Sequence, residues 1–156
     1  MFKTIVIAGL LGLLPVAQAA TPSPAIQVRE AWTRATPPHA PTAVGYLTLV
    51  NTAAQADRLV GARSPAAARV ELHESAMQGG VMRMRQVDGV DLPAGATVSL
   101  APSGTHLMLV APTGPLVAGQ QVEVTLSFAH APDLVVHLKV MPLGAAGPHD
   151  MHDMHM

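Results

Sequence analysis

Between residues 25 and 141 the apolar residues come in short runs, each ended by Gly, Pro, Asn or Asp, and none keeps a helical period for three turns. Punctuation of this kind confines the chain to short strands joined by turns. The runs are residues 25–32, 43–51, 57–64, 69–75, 81–87, 97–102, 105–111, 121–128 and 134–141. Seven to nine strands at this spacing predict an all-β fold, a β-sandwich or Greek-key barrel. The segment TRATPPHAPTA, residues 33–43, holds too many prolines for a helix or a central strand and is expected to cross the surface. With 156 residues, 49% hydrophobic and 12% charged, the chain suits one domain with its own core.

That core has no covalent help, because the sequence contains no cysteine. The same absence excludes thiol redox chemistry, thiolate zinc sites and the cysteine-ligated blue-copper centre of electron-transfer proteins. Nucleic acid is not an expected partner: the formal net charge is −1 and the nine Lys and Arg are scattered. Paired catalytic carboxylates, a nucleophile with its base and a Gly-rich phosphate loop are all missing, so the chain does not read as an enzyme.

The first twenty residues, MFKTIVIAGLLGLLPVAQAA, carry Lys3, an apolar run from Ile5 to Val16 and an A-x-A arrangement at Ala17 and Ala19. This is the pattern of a cleaved secretory signal peptide, and the apolar run is shorter than the ~20 residues that span a bilayer. Residues 1–20 are therefore expected to be removed. The mature chain is expected in the periplasm, without stable membrane insertion and without a cysteine to carry lipid. Residues 21–142 read as the folded domain and residues 143–156 as a flexible tail.

Within the domain, RVELHESAMQGGVMRMRQV (69–87) gathers His73, Met77, Met82 and Met84 on one predicted hairpin. Side chains alternate across a strand, so Glu71, His73 and Ser75 share a face, as do Met82, Met84 and Gln86. A two-residue turn at Gly79 and Gly80 pairs Met77 with Met82 and Ser75 with Met84, leaving His73 diagonal to Met84. Farther on, THLML sets His106 and Met108 on one face, with Leu107 and Leu109 on the other. Two separate strand pairs thus each offer a histidine and a methionine. Of the eight methionines after Met1, only Met141 lies outside the hairpin, the His106 strand and the tail. A methionine used merely to fill core gaps has no reason to avoid the other strands, and Met141→Leu is expected to leave any metal binding unchanged. Glu71 and Glu74, which flank His73, read as solvated neighbours.

Thioether sulfur is soft and neutral, poor for Zn²⁺, Ca²⁺ or Mg²⁺ and suited to Cu(I), while imidazole accepts copper in either oxidation state. A His/Met donor set therefore points to monovalent copper. The spacing His73, ten residues, Met84, twenty-one residues, His106, one residue, Met108 resembles the motif of the periplasmic copper chaperone family called PCu(A)C. The flanking AWTRATPP, YLTLVN, VELHESAM, GVMRMRQV and GTHLMLV are similar to that family as well, over roughly residues 26–142.

The resemblance implies a cupredoxin-like β-sandwich, monomeric, that binds Cu(I) through His73, Met84, His106 and Met108. It also implies delivery of the ion to the copper-binding subunit of cytochrome c oxidase, for its dinuclear centre, beside a thiol-bearing periplasmic copper carrier. Met77 and Met82 are extra to the motif and stand as auxiliary ligands or as packing; His39 matches nothing in it. The tail interleaves His149, His152 and His155 with Met151, Met154 and Met156, a composition that marks metal binding and is expected to form a second copper site favouring Cu(II). Copper sequestration or resistance would use the same ligands, and an electron-transfer cupredoxin would share the fold.

Overall fold

A computed structural model describes residues 25–148. The expected signal peptide at 1–20 and the tail residues His149 to Met156 lie outside the described residues. Ten strands account for the fold: β1 Ile26–Arg34, β2 Thr42–Asn51, β3 Asp57–Arg63, β4 Ala67–Gln78, β5 Val81–Val87, β6 Val90–Leu92, β7 Thr97–Leu100, β8 Thr105–Pro112, β9 Gln121–Phe128 and β10 Leu134–Met141. Among the described residues there is no helix, and so none long and apolar enough to cross a membrane.

Strands β4, β8, β2, β1, β10, β9 and β3 follow one another round the sheet, and contact between β3 and β4 returns it to its start, a barrel of seven strands in a single domain. Strands β5 and β6 hang from its two seam strands, and β7 pairs with β2. The closure is narrow: Ala62 opposite Val70 is the one registered pair between β3 and β4. Strands β1 and β10 run parallel through Trp32, Thr33 and Arg34, while the other pairings are antiparallel.

Alternation fills the barrel. Leu47, Leu49, Leu59, Leu107, Leu109, Val124, Leu126, Leu138 and Val140 point inward and are almost wholly buried. Gly45 lets the barrel close tightly: a Cβ there would stand 2.8 Å from Leu138 Cδ1, so that buried side chain would have to shift. A second, smaller apolar cluster lies on the opposite side of the same strands, formed by Trp32, Tyr46, Met141 and Ala145. Its rings are close, with Trp32 and Tyr46 centroids 4.6 Å apart, and the Arg34 guanidinium sits over both while its Nε donates to the Ala145 carbonyl at 2.7 Å. This layer folds residues 142–148 back against the barrel.

The proline-rich crossing is shorter than its sequence suggests. Strand β1 continues to Arg34 and β2 starts at Thr42, because both edges find partners there, Thr33 beside Gly45 and Val140. Strand β6 is absent from the apolar pattern, being three residues between Gly89 and Pro93 that extend because β3 offers them an edge.

Candidate metal site

The hairpin of β4 and β5 turns on Gly79 and Gly80, both with positive φ (58° and 79°), the geometry of the tight turn that suits a right-twisted ladder. Its register sets Met77 opposite Met82, Ser75 opposite Met84 and His73 opposite Gln86. On the other flank of β4 lies β8, with His73 directly opposite His106 and Glu71 opposite Met108. The two His/Met groups are thus not on separate strand pairs, as their distance in sequence implies; they share one continuous surface across β5, β4 and β8. Leu72, Leu107 and Leu109 occupy the inner face of these strands, so His73, Met84, His106 and Met108 all fall on the outer one.

The imidazoles are the centre of that surface. Their centroids are 6.1 Å apart, with the rings inclined at 43°. His106 is 2% exposed, with Tyr46 edge-on at 6.4 Å. Its Nδ1 lies 3.1 Å from the Gly104 carbonyl. A carbonyl only accepts, so Nδ1 carries the proton and Nε2 keeps its lone pair. The Gly104 oxygen also accepts from the Ser75 amide at 3.2 Å, which ties the turn before β8 to β4. Burial pushes the His106 pKa down, the Gly104 hydrogen bond opposing and the neighbouring His73 adding to it. The neutral ring is the result.

His73 is held in the complementary way. Its Nε2 donates to Glu71 Oε2 at 2.8 Å, and Arg69 Nε donates to Glu71 Oε1 at 2.6 Å. The Arg69 hydrogen bond, then that from His73, keeps the Glu71 carboxyl below its usual range. The ring nitrogens left over, His73 Nδ1 and His106 Nε2, are both buried and both without a hydrogen-bond partner. Buried polar atoms in this state ordinarily have a reason, and two lone pairs on facing strands, each ring fixed through its other nitrogen, form the arrangement of metal-ligating histidines.

Thioethers share this face. Met108 lies two residues from His106 on the same face and is 8% exposed, whereas Met84, on the edge strand, is 52% exposed. Among the described residues no three His, Cys, Asp or Glu side chains gather as a cage for a harder ion. Met77 and Met82 lie farther out on the hairpin, at 62% and 55% exposure. His39 is on the crossing between β1 and β2.

The sequence hides two contributors. Glu71 is a partner of His73 rather than a solvated neighbour, and the one clue is its i, i+2 spacing on a strand. Met141, completely buried with Trp32 and Tyr46, belongs to the cluster whose Tyr46 ring stands edge-on to His106, so its isolation in sequence is not isolation from these side chains.

Residues 26–140 match the family model described as "Putative lipoprotein LpqE-like", and the chain belongs to this LpqE-like family. The chain is similar to "Putative lipoprotein Lxx21020" of Leifsonia xyli subsp. xyli, 40% identical over 136 residues covering 81% of this chain and 80% of that protein. Among solved structures it resembles the copper-bound PCuAC domain from PmoF2, with a TM-score of 0.65 at 28% identity over 76% of this chain and 93% of that one. It also resembles the Cu(I) form of DR1885 from Deinococcus radiodurans, with a TM-score of 0.57 at 32% identity over 80% and 81% of the two chains.

Proposed function

We propose that this protein is an exported copper carrier of the cell envelope that binds one Cu(I) through His73, Met84, His106 and Met108 and surrenders it to thiolate acceptors. The observation that carries this reading is the pair of buried, unpartnered nitrogens, His73 Nδ1 and His106 Nε2, on registered neighbouring strands. A ring spacing of 6.1 Å is within the span that one ion can bridge with two metal–nitrogen bonds of about 2 Å. Solved relatives described as copper-bound and Cu(I)-bound support the choice of metal. The lipoprotein names of the family and of the Leifsonia relative support export; lacking cysteine, this chain is taken to work free of a lipid anchor in the periplasm.

Each ligand has a reason. Two neutral imidazoles and two thioethers leave the bound Cu(I) with its single positive charge, and the thioethers have no proton to exchange, so binding competes with protons only through the histidines. Thiolates bind Cu(I) more strongly than thioethers do, so the gradient runs from this site to a cysteine-bearing acceptor. We infer that the acceptor is the copper-binding subunit of cytochrome c oxidase, during assembly of its dinuclear centre, in company with a thiol-bearing periplasmic carrier. The tail histidines His149, His152 and His155 are proposed to hold Cu(II) separately.

The test is transfer. Anaerobic competition with a Cu(I) chelator should find one tight equivalent, and mixing the loaded protein with the apo copper domain of the oxidase should move the metal across. Retention of copper by the loaded protein at equilibrium would replace delivery with sequestration, and absence of the tight equivalent would remove the copper reading.

A further inference from the structure

Strand β4 outruns the barrel. Its pairing with β8 ends at Glu74 opposite Thr105, the Ser75 amide still reaches the Gly104 carbonyl, and residues 76–78 continue with β5 alone. On this projecting ribbon the two faces differ. One carries Arg83 and Arg85, the latter donating to Glu74 at 2.6 Å. The other, continuous with Glu71 and His73, carries Met77, Met82 and Met84.

An edge strand ordinarily presents charge to solvent, since exposed apolar edges invite aggregation. Here one face does so and the other presents three thioethers. They are 62%, 55% and 52% exposed, so they do not serve as core packing. Met77 and Met82 are direct cross-strand partners, a relation that brings Cβ atoms to about 4.5–5.5 Å. Met84 follows Met82 on the same face and is diagonal to His73. Three soft neutral donors therefore stand in one row that leads to the buried imidazoles.

We propose that Met77, Met82 and Met84 form a second, weaker Cu(I) site at the hairpin tip, a landing site from which Met84 passes the ion to His73, His106 and Met108. The proposal rests on the copper reading above. Passage is ligand exchange: a copper–thioether bond to Met77 or Met82 breaks as a copper–imidazole bond forms. Copper stays monovalent throughout, and the neutral imidazoles release no proton. Weakness follows from placement, because an exposed ribbon must immobilise long, rotamer-rich side chains on binding, whereas the buried end is ordered beforehand.

The full chain carrying methyl-¹³C methionine, titrated anaerobically with Cu(I), reads each site separately. The first equivalent should shift the Met84 and Met108 methyls, and further Cu(I) should shift those of Met77 and Met82. The doubly substituted Met77→Leu/Met82→Leu chain should keep the tight equivalent. Its loading from a Cu(I) chelator should slow by about tenfold, the low end of the range over which association rates vary among variants of one interface. Met77 and Met82 methyls that stay still in excess Cu(I), while Met84 and Met108 move, would overturn the landing site and leave the inner site intact. Loading of the double variant at the wild-type rate would overturn it too and make the face a protein-docking surface, because leucine keeps its apolar character. If instead Met77 and Met82 move and Met108 does not, the outer site stands and the inner assignment fails.

Discussion

His106 and Met84 lie on one outer surface, a strand apart, yet one is 2% exposed and the other 52%. On the proposed copper reading, the difference separates two tasks that a metal carrier has to combine. At the buried end each ring is fixed through its far nitrogen and His106 has Tyr46 edge-on to it, so the remaining nitrogens are held in place by the protein itself. On that reading, affinity would come from this readiness. At the edge the thioethers are more than half exposed, so on the proposed reading a bond to copper could be exchanged there without opening the barrel. One end would hold the ion and the other would trade it.

Removing the buried end should have the largest effect. His106→Leu is expected to lower Cu(I) affinity by more than ~100-fold, above the range found when only an outer partner of a ligand is lost. The fold should survive, because the Gly104 carbonyl keeps its bond from the Ser75 amide. Chelator competition beside thermal unfolding measures both. An affinity within a few-fold of wild type, in a folded variant, would break the division by showing that the exposed thioethers suffice.

Next in size is the support behind the second imidazole. Glu71→Ala leaves His73 Nε2 without its acceptor and should weaken Cu(I) by about 10- to 100-fold, while Glu71→Gln, which keeps an acceptor oxygen, should recover part of the loss. Equal losses in the two variants would mean that the charge rather than the hydrogen bond acts on the metal.

How these features were concealed follows from their range. Local pattern reveals the strands, since alternation and turn residues lie within a few positions of each other; even the Met77 to Met82 register follows from Gly79 and Gly80. The pairing of His73 with His106 does not, because it requires β8 to settle beside β4 across an intervening stretch with its own strands. Closure through Ala62 and Val70 and the parallel pairing of β1 with β10 are likewise set by the whole barrel, and the three residues of β6 are too few to display a period. Glu71 was legible only as a charge on the right face. Its role depends on the His73 rotamer and on Arg69, neither of which leaves a mark in the spacing. Met141 was isolated among the methionines, and the isolation says nothing of Trp32 and Tyr46, which come from strands far from it in the chain.

A finer contrast separates folding from binding at the two thioether positions. Met108→Leu replaces a packed side chain with one of nearly the same volume and should cost under about 1.5 kcal/mol of stability; Met84→Leu, on the exposed edge, should stay within about 0.5 kcal/mol. Both should weaken Cu(I). Urea unfolding of the apo proteins gives the first quantity and chelator competition the second. A Met84→Leu chain markedly less stable than wild type would show that the rim is structural and blur the contrast with Met108.

The smallest effect concerns the frame on which both ends depend. Asp57 opens β3, and its carboxylate accepts from the backbone amides of Arg58 at 2.7 Å, His130 at 3.0 Å and Ala131 at 2.8 Å. Burial alone would raise its pKa, but these three donors together outweigh it and the carboxyl sits below its ordinary value. A group depressed on folding adds stability that is present above its unfolded pKa, about 3.9 for aspartate. That stability is lost as pH falls through the lower folded value. Asp133, bound to Arg63 and Ser127, and Glu71, bound to Arg69 and His73, are shifted in the same direction, so Asp57→Asn should flatten only part of the acid slope of the apo protein. Urea unfolding from neutral pH to below about pH 4 measures that slope. Asp57 touches neither histidine nor methionine, so copper affinity at neutral pH should be unchanged in the same variant. A parallel fall in affinity would show that the strand pairing around β3 tensions the His73 to His106 register through the narrow Ala62 to Val70 closure, and that holding the ion is a property of the closed barrel rather than of its outer face alone.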